Sequence, residues 1–569
     1  MAESPKTYFE KRRAMLKQDR DSWVARAQDI ARYVAPEYDR FNKTESNANR
    51  DEARHDAILD STATLASETF ASGLRSGSSN PAREWFSLAT VDGPVEEGSS
   101  VARWLYEKRR LMLWHYQRSN FYKACVPFYR EGGLFGTSVM YQCEHPDDFM
   151  RFHNYAPGEY YLACDHFGTV NTCYRDFAMT TEQLITQFGA ENCSDRAQRM
   201  FKNGRKNDYV QVCHAIEPRT DSLDNVDEFI PRGAQYRSVY FELSGTDSND
   251  KPKFLKLGYF WEFPIWTYRI GVVSTNTYGF GRAHMCLGDI KQLQEETRQR
   301  AAAVEKMVNP PIKAPSGTDI SQIGLQPGEI SLYDAALGAQ AFGPLYQVNL
   351  DIAHLDQTIM QLQQRINDTF FVGTFQPLTQ LDRREITARE VDERVVEKFT
   401  ALGPVFDPLE DGAFDVGTNR TFGMMARAGM LDDAPEELQG RQIRGEYQSI
   451  TSEAQRAGNA MRIERITQYV GGLFAATQDQ SVWDSLDKDE MVSDYAESIG
   501  LPPDNIVPED GVADMRQQRE QMQYAQQAIS MAGEAAKATR NLGTADTSGK
   551  NALTDLARMA GTSPEEAAV

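Results

Sequence analysis

Two long stretches of helical periodicity, separated by a proline- and glycine-rich insert, set the tightest limit on how this 569-residue chain can fold. In each stretch apolar positions recur every three or four residues, as on one face of an α-helix. These positions are Cys286, Ile290, Leu293, Thr297, Ala301 and Val304, and then Ile352, Leu355, Ile359, Leu362, Ile366 and Phe370. Asn309-Pro310-Pro311 ends the first helix, which would be about 35 Å long. The pattern predicts that the two helices pair as a hairpin or line a common axis.

The chain before these helices divides into a helical part and a β-rich part. The first ~135 residues have helical spacing, with Trp23, Ala27, Ile30 and Val34 on one face. From about Thr137 to Phe263 the period changes toward two. The predicted strands are Ser138–Cys143, Gly158–Ala163, Gly168–Phe177, Asp208–Ile216, Tyr236–Leu243 and Lys253–Phe263, with a turn at 165–168 and a short helix at Thr180–Phe188. The fold class is therefore α+β, and mainly helical.

The C-terminal third is predicted to be helical and strongly acidic. A third long helix starts near Glu385, and Gly403-Pro404 and Pro408 should kink or interrupt it. Residues 479–520 carry 12 acidic and three basic residues, a net charge of −9. The stretch from Met515 to Leu542 predicts an exposed or self-associating helix, and 543–569 a loosely ordered tail.

The charge of the whole chain excludes some classes of partner. The formal net charge of −21 argues against a protein that grips nucleic acid over its entire surface or docks on an anionic membrane. The seven cysteines form no C-x-x-C pair, which is typical of reduced thiols. The first residues lack the apolar core of a signal peptide, and no apolar run approaches the ~18 residues of a membrane span.

No catalytic motif is present. The sequence contains no G-x-x-x-x-G-K-[ST], H-E-x-x-H or G-x-S-x-G, so we expect no enzymatic activity, no cofactor and no metal. His145 beside Asp147-Asp148 is the nearest approach to a metal cluster, but a solvated polar turn is the favoured interpretation. Asp487-Lys488-Asp489-Glu490 is similarly interpreted as the start of an acidic helix.

The basic pair Arg383-Arg384 is distinguished by its position in this acidic chain. It lies in a predicted loop between two long helices. The pair could contact a phosphate backbone, or it could cap its own loop or pair with Glu385. Charge alone leaves both interpretations open.

A series of short motifs runs in order from residue 30 to residue 405. The motifs are 30–36, 40–42, 60–64, 65–77, 80–86, 128–137, 157–162, 278–282, 289–296, 309–311, 326–328, 386–391 and 402–405. Together they resemble the head-to-tail connecting, or portal, proteins of short-tailed bacteriophages (podovirus type). Residues 80–86 resemble the family segment SPARPWF with Glu84 as a departure, and 278–282 resemble YGRSP without the Ser-Pro.

The resemblance implies a portal fold with four parts, assembled as a ring. It implies a wing at 1–280, with the β-rich subdomain at about 137–263, and a two-helix stem at 281–308 and 351–371. A clip would span 309–350 and a tunnel loop 372–385. The kinked helix and a return to the wing would occupy 386–478. The crown would be 479–542, followed by a flexible tail at 543–569.

The resemblance also implies which residues meet the partners. The tunnel-loop candidates for DNA contact are Gln376, Thr379, Gln380, Arg383 and Arg384, and the clip candidates for partner docking are Lys313, Gln326, Pro327 and Tyr333. The expected partners are other copies of the chain (normally twelve in a ring), double-stranded DNA in the channel, the terminase large subunit, capsid and scaffolding proteins, and tail adaptors. No membrane is implied.

The implied function is a channel at one capsid vertex, through which DNA is packaged and ejected and on which the terminase and then the tail dock. The protein would be made in the bacterial cytoplasm and end in the virion. Two other classes stay open: a cytosolic helical scaffolding protein and, with less support, a DNA-processing enzyme. Rings with a central channel in electron micrographs would separate the portal from both.

Overall fold

The structure, a computed structural model, describes most of the 569 residues. The described residues are 5–38, 57–91, 99–219, 226, 230–243, 253–308, 312–313, 343–344, 352–375, 402–438, 440–441, 443–447, 450–499, 501, 507 and 509–543. The chain divides into two compact units, one of Met1–Pro94 with Leu105–Ser485 and one of Val95–Trp104 with Leu486–Val569.

Four helices and one strand precede the main sheets. They are α1 (Pro5–Tyr33), α2 (Thr62–Ser78), β1 (Phe86–Thr90), α3 (Ser100–Arg118) and α4 (Phe121–Phe135). Helix α4 ends at Gly136, which adopts a left-handed conformation (φ 73°) that closes the last turn and starts the first long strand.

Eight of the strands form two antiparallel sheets with small helices between them, and two further strands form a short pair. The elements are β2 (Thr137–His145), β3 (Phe149–Tyr155), β4 (Tyr160–Cys164), β5 (Val170–Thr180), α5 (Thr181–Phe188), α6 (Asp195–Lys202), β6 (Tyr209–Pro218), β7 (Tyr236–Glu242), β8 (Lys256–Phe260) and β9 (Ile265–Arg269). One sheet has the order β3-β2-β9 and the other β4-β5-β6-β7-β8, while β1 pairs with β12 (Ile443–Tyr447).

The five-stranded sheet is covered on both faces. Phe9 and Leu16 of α1 pack on the face that carries Cys213, while Leu184 of α5 packs on the face that carries Val212. Adjacent residues of β6 therefore serve two different apolar clusters, as strand geometry requires. A capping box fixes the start of α5: the Thr180 hydroxyl accepts the Gln183 N–H, and the Gln183 side chain accepts the Thr180 N–H.

An aromatic core lies between the three-stranded sheet and the helices. Trp85 stacks on Phe121 with 5.6 Å between ring centroids, and Phe414 lies 4.9 Å from Trp85. Trp266 from β9 approaches Phe121 at 5.3 Å. These side chains are fully or almost fully buried and form the centre of the largest apolar cluster.

The remaining elements of the first unit are mostly helical. They are α7 (Arg282–Met285), α8 (Leu287–Val308), β10 (Ile312–Lys313), β11 (Gly343–Pro344), α9 (Ile352–Thr369), α10 (Val372–Phe375), α11 (Gly403–Leu409), a π-helical turn (Glu410–Phe414), α12 (Asp415–Arg427), β12 and α13 (Ile450–Thr477). Short 3-10 turns occur at Pro36–Tyr38, Ala190–Asn192, Glu436–Leu438 and Gln480–Ser485.

The second unit contains α14 (Lys488–Ile499) and α15 (Glu509–Gly543). Arg516 of α15 donates to Asp489 of α14 at 2.7 Å. The side chains of α15 at 513–531 are exposed, including Met522, Tyr524, Ile529 and Met531. No helix among the described residues has the length and apolar character needed to cross a membrane.

The structure confirms several sequence predictions and corrects others. Helices are present where periodicity placed them at 121–134, 180–188 and 515–542, and Gly168 (φ 86°) lies in the predicted 165–168 turn. The prediction of an all-helical first ~135 residues is wrong at Phe86–Thr90, because this strand is completed by β12, far along the chain. The β-rich region continues past 263 to Arg269 and forms two sheets.

Candidate functional site

The structure describes only part of the predicted site. Lys313 lies in β10 and pairs in register with Gly343 of β11, so the two ends of the 309–350 insert are joined by a short antiparallel ladder. Gln326, Pro327 and Tyr333 lie outside the described residues. Gln376, Thr379, Gln380, Arg383 and Arg384 lie outside them as well, as does the helix predicted from Glu385.

Helices α8 and α9 form an antiparallel hairpin, called the helical hairpin below. Arg365 lies 3.0 Å from Asp289, and Arg300 forms an ion pair with Asp356. Along α8 the paired residues run from Asp289 to Arg300, whereas their partners on α9 run backward from Arg365 to Asp356. The two helices therefore run in opposite directions. Sequence reasoning found both helices but missed these pairs, because the pairs depend on the register between the two helices.

The hairpin is anchored at one end and exposed at the other. Ile290, Leu293, Leu362 and Ile366 are fully buried in the main apolar cluster, whereas Val308 is 80% exposed. These buried residues lie at the start of α8 and toward the end of α9, which are neighbours in an antiparallel pair. The hairpin thus extends from a buried root to an exposed tip.

Gln294 ties the root of the hairpin to the segment before α2. Its side-chain oxygen accepts the backbone N–H groups of Leu59 and Asp60 at 2.7 and 2.9 Å, and its nitrogen donates to the Asp60 carbonyl at 2.9 Å. Gln363 of α9 donates to the Asp60 carboxylate at 2.8 Å. Both helices of the hairpin therefore hold the same segment, which belongs to one of the motifs of the family resemblance.

A close backbone contact fixes where α8 departs from the sheet. A Cβ on Gly136 would lie 2.4 Å from the Gly281 nitrogen and 2.5 Å from the Gly279 carbonyl oxygen, so no side chain fits there. The Ile270 N–H donates to the Gly136 carbonyl at 2.9 Å, and the Phe280 N–H to the Ile270 carbonyl at 2.7 Å. The motifs at 128–137 and 278–282 thus meet in space, and together they orient the start of α7 and α8.

Both flanks of the segment 376–401 are held by the core. On the N-terminal side a Cβ on Gly73 of α2 would lie 2.2 Å from the Phe375 ring, which also approaches Phe70 at 6.1 Å between centroids. On the C-terminal side Leu402 is fully buried, and the Val405 carbonyl accepts the Tyr268 hydroxyl at 2.9 Å. The segment 376–401, which contains most of the predicted tunnel loop, is therefore flanked on both sides by residues that pack into the core.

Four of the five Lys and Arg residues of the hairpin are paired with nearby carboxylates. Besides the two pairs between its helices, Arg298 donates to Glu295 at 2.7 Å, and Lys291 to Asp29 of α1 at 2.7 Å. Hydrogen bonds from Gln299 and Arg298 lower the pKa of the Glu295 carboxyl below its usual value. A surface with locally compensated charges has a weak long-range attraction for phosphate.

The described residues give no sign of a reaction centre. Within them, no group of three or more His, Cys, Asp or Glu lies close enough to hold a metal ion. Burial raises the pKa of the Cys125 thiol to about 12 and lowers that of His214 to about 3, so both are neutral at pH 7, and a buried neutral thiol is a poor nucleophile. His145 has a structural role, since its Nδ1 accepts the N–H groups of Asp147 and Asp148 at 3.3 and 3.2 Å.

Comparisons with known proteins agree on one family. The family model described as bacteriophage head to tail connecting protein matches residues 6–507. A probable portal protein of Bordetella phage BPP-1 is 35% identical over 544 residues, which is 95% of this chain and 96% of that protein. The portal protein of Salmonella phage epsilon15 is 34% identical over 562 residues, which is 99% of both chains.

One solved structure has a weaker similarity. A chain from the virion of a native gene transfer agent particle aligns with 78% of this chain and 89% of its own length, at 12% identity and a TM-score of 0.31.

Proposed function

This chain belongs to the bacteriophage head to tail connecting protein family and functions as a phage portal, the head-to-tail connector, and we propose that it does so as a closed ring of identical copies. A ring requires two different faces of each subunit to meet. The ring would normally contain twelve subunits, stand at one capsid vertex and pass double-stranded DNA through its centre.

The observation that carries this proposal is the helical hairpin with its buried root and exposed tip. Met360 is 68% exposed on α9, and Met307 and Val308 are exposed near the end of α8. Apolar side chains on a projecting hairpin are stabilised when a neighbouring copy covers them. We assign the hairpin as the stem around the channel, and the ladder-closed insert 309–350 as the clip.

Electron microscopy of the purified full chain tests the ring. We expect rings with a central channel, and native mass spectrometry should give the subunit number. Met360→Glu should reduce the ring fraction severely, because it places a charge at the subunit contact. Phe167→Glu, at an exposed turn of the five-stranded sheet, is the matched control and should leave rings intact. Monomers without a channel would contradict the proposal.

We assign residues 372–385 as the tunnel loop, with Gln376, Thr379, Gln380, Arg383 and Arg384 as its DNA-contact candidates. The packing of Phe375 and Leu402 into the same core supports this assignment, since the chain leaves that core just after Phe375 and has returned to it by Leu402. In an acidic protein, Arg383 and Arg384 would be local contacts that brake or centre the duplex while the paired charges of the stem let it slide.

A double charge reversal tests the loop. Arg383→Glu with Arg384→Glu should change DNA packaging or retention and leave the rings intact. Arg205→Glu with Lys206→Glu, a second adjacent basic pair in an exposed turn, is the control. Packaging and retention equal to wild type in the Arg383 and Arg384 variant would remove the support for this assignment.

The remaining partners follow from the same assignment. The packaging terminase and then the tail adaptors would dock on the clip, where Lys313, Gln326, Pro327 and Tyr333 are the candidates. Capsid and scaffolding proteins would contact the wing. The protein would be synthesised in the host cytoplasm and reside at the head-tail junction of the virion.

A further inference from the structure

A surface cavity of about 630 Å³ lies away from the helical hairpin, between the ends of β2 and β8 and helix α12. Its lining includes Glu144, His145, Tyr259, Trp261, Arg420 and Arg427. Its size is in the range of sites that bind a few side chains or a small molecule. The proposed channel function does not involve the residues that line this cavity.

The floor of the cavity contains a buried guanidinium with incomplete hydrogen bonding. Arg420 is 1% exposed, and its Nε and Nη1 donate long bonds of 3.3 Å to the carbonyls of Gln142 and Glu262. Among the residues that the structure describes, its Nη2 has no hydrogen-bond partner. A buried donor without a partner is costly, so this nitrogen favours a ligand that can accept a hydrogen bond.

The nearest acid is already engaged elsewhere. Glu262 accepts two hydrogen bonds from Arg427, of which the Nη2 bond is 2.8 Å and the Nη1 bond 2.5 Å. Its carboxylate is 3.8 Å from Arg420 Nη1, beyond hydrogen-bond distance. Burial also lowers the pKa of the Arg420 guanidinium, as expected for a cation whose counter-charge is incomplete. The Arg420 position therefore attracts one further anionic group.

The walls of the cavity are largely aromatic. Phe260 lies under the Arg420 guanidinium, 4.9 Å from it to the ring centroid, while Phe149 and Trp261 line the sides. Tyr259 is 40% exposed at the opening. Rings of this kind bind apolar side chains that flank a charged group, so the ligand has an apolar body as well as an anionic group.

We infer that this cavity binds a short acidic peptide segment of a partner protein, in which one Asp or Glu carboxylate accepts from Arg420 and a neighbouring apolar side chain packs on the aromatic walls. A carboxylate fits better than a nucleic-acid phosphate. Phosphate-binding surfaces present several unpaired exposed cations, whereas here Arg420 is buried, Arg427 is paired with Glu262, and Glu144 is part of the lining.

Peptide binding to the purified full chain in its assembled form tests this inference. The probe is fluorescein-labelled Leu-Glu-Phe-Leu amide, compared with Leu-Gln-Phe-Leu amide by fluorescence anisotropy. We expect the Glu peptide to bind at least ten-fold more tightly than the Gln peptide. Equal affinities, or no binding of either peptide at millimolar concentration, would overturn the inference.

Variants of the cavity locate the binding. Arg420→Gln should abolish the preference for the Glu peptide, and Tyr259→Ala should weaken both peptides several-fold. Phe167→Ala, at a distant exposed turn, should change neither affinity. If Arg420→Gln does not fold, Tyr259→Ala still tests the site, because Tyr259 is partly exposed and its replacement should not disturb folding. Unchanged peptide binding in Tyr259→Ala would mean that the peptide binds elsewhere and would reject the site. Displacement of the peptide by a phosphodiester oligonucleotide at lower concentration than by acetate would also reject it.

Discussion

The interior around Trp266 and the helix α13 are built in opposite ways. In the interior, large aromatic side chains are fully buried against one another. On α13, by contrast, Ile466, Tyr469, Leu473 and Phe474 are exposed within the single chain. The interior is therefore stabilised by contacts that one copy supplies, whereas exposed apolar side chains on a helix favour contact with a partner.

The polar groups of the interior strengthen this difference. The Trp266 indole N–H donates to Gln142 at 2.9 Å, and Gln142 donates to Thr421 at 2.8 Å. The Tyr116 hydroxyl lies 2.8 Å from the same Thr421 oxygen. A Cβ on Gly417 would lie 1.8 Å from the Trp266 ring, so the backbone of α12 is fitted to this indole. A buried network with satisfied hydrogen bonds specifies one packing arrangement.

Substituting one aromatic residue in each region gives the largest expected contrast. Trp266→Ala should lower the free energy of unfolding by about 5 kcal/mol, since it opens a cavity and leaves Gln142 without its donor. Phe474→Ala on α13 should change the unfolding of the isolated subunit by less than about 0.5 kcal/mol and act instead on assembly. Urea unfolding followed by circular dichroism measures the first, and sedimentation velocity the second. Similar losses of subunit stability in both variants would contradict the comparison.

The second-largest expected effect on stability concerns the buried ion pair in the five-stranded sheet. Arg237 lies 2.8 Å from Glu217, both are almost fully buried, and Glu217 also accepts the Tyr174 hydroxyl at 2.6 Å. Arg237→Leu should cost about 3 kcal/mol, because it leaves a buried carboxylate without its counter-charge. Arg516→Leu removes the exposed pair with Asp489 and should leave the urea midpoint unchanged. An effect of Arg237→Leu as small as that of Arg516→Leu would contradict the contrast between the buried and the exposed pair.

Glu131 provides a pH-dependent test of the same interior. Burial, and then the neighbouring Glu159 charge, raise the pKa of the Glu131 carboxyl well above its usual value. The unfolded chain ionises this group near pH 4, so its contribution to folding becomes less favourable as the pH rises above that value. Glu131→Gln should therefore match wild type at pH 4 and be more stable by about 1–2 kcal/mol at pH 8.

The pH dependence needs a control from the exposed region. Glu520→Gln on α15 should show the same small difference from wild type at both pH values, because Glu520 is exposed. Thermal unfolding at pH 4 and pH 8 measures both variants. A Glu131→Gln variant that is less stable than wild type at pH 8 would show that the native state uses the charged form.

The sequence predicted the elements whose pattern repeats locally and missed those that depend on distant contacts. Helical periodicity found the hairpin because its buried positions repeat locally. Strand β1 was missed because its partner, β12, is more than 350 residues away, as in Phe86 opposite Tyr447. Strand β3 was missed because Asp147-Asp148 indicated a turn, although the strand that follows from Phe149 alternates in burial.

The candidate site was predictable only in part for a related reason. Gly136 and Gly279 belong to two separate motifs of the family resemblance. The sequence does not show that these motifs meet, whereas in the fold their backbones are in close contact. The charge pairs of the hairpin depend on the register between two helices that are more than 40 residues apart. Sequence spacing gives the face of each helix but not that register.

The smallest expected effect concerns the charges of the exposed hairpin. Asp289→Asn with Asp356→Asn should release Arg365 and Arg300 from their pairs and raise the affinity for random double-stranded DNA a few-fold at 50 mM salt. The gain should vanish near 300 mM salt, because these side chains are exposed and screened. Glu182→Asn with Asp208→Asn releases Lys206 and Arg205 in the body and is the matched control. An equal gain in the control would mean that total charge, and not pairing along the helical hairpin, sets the affinity for DNA.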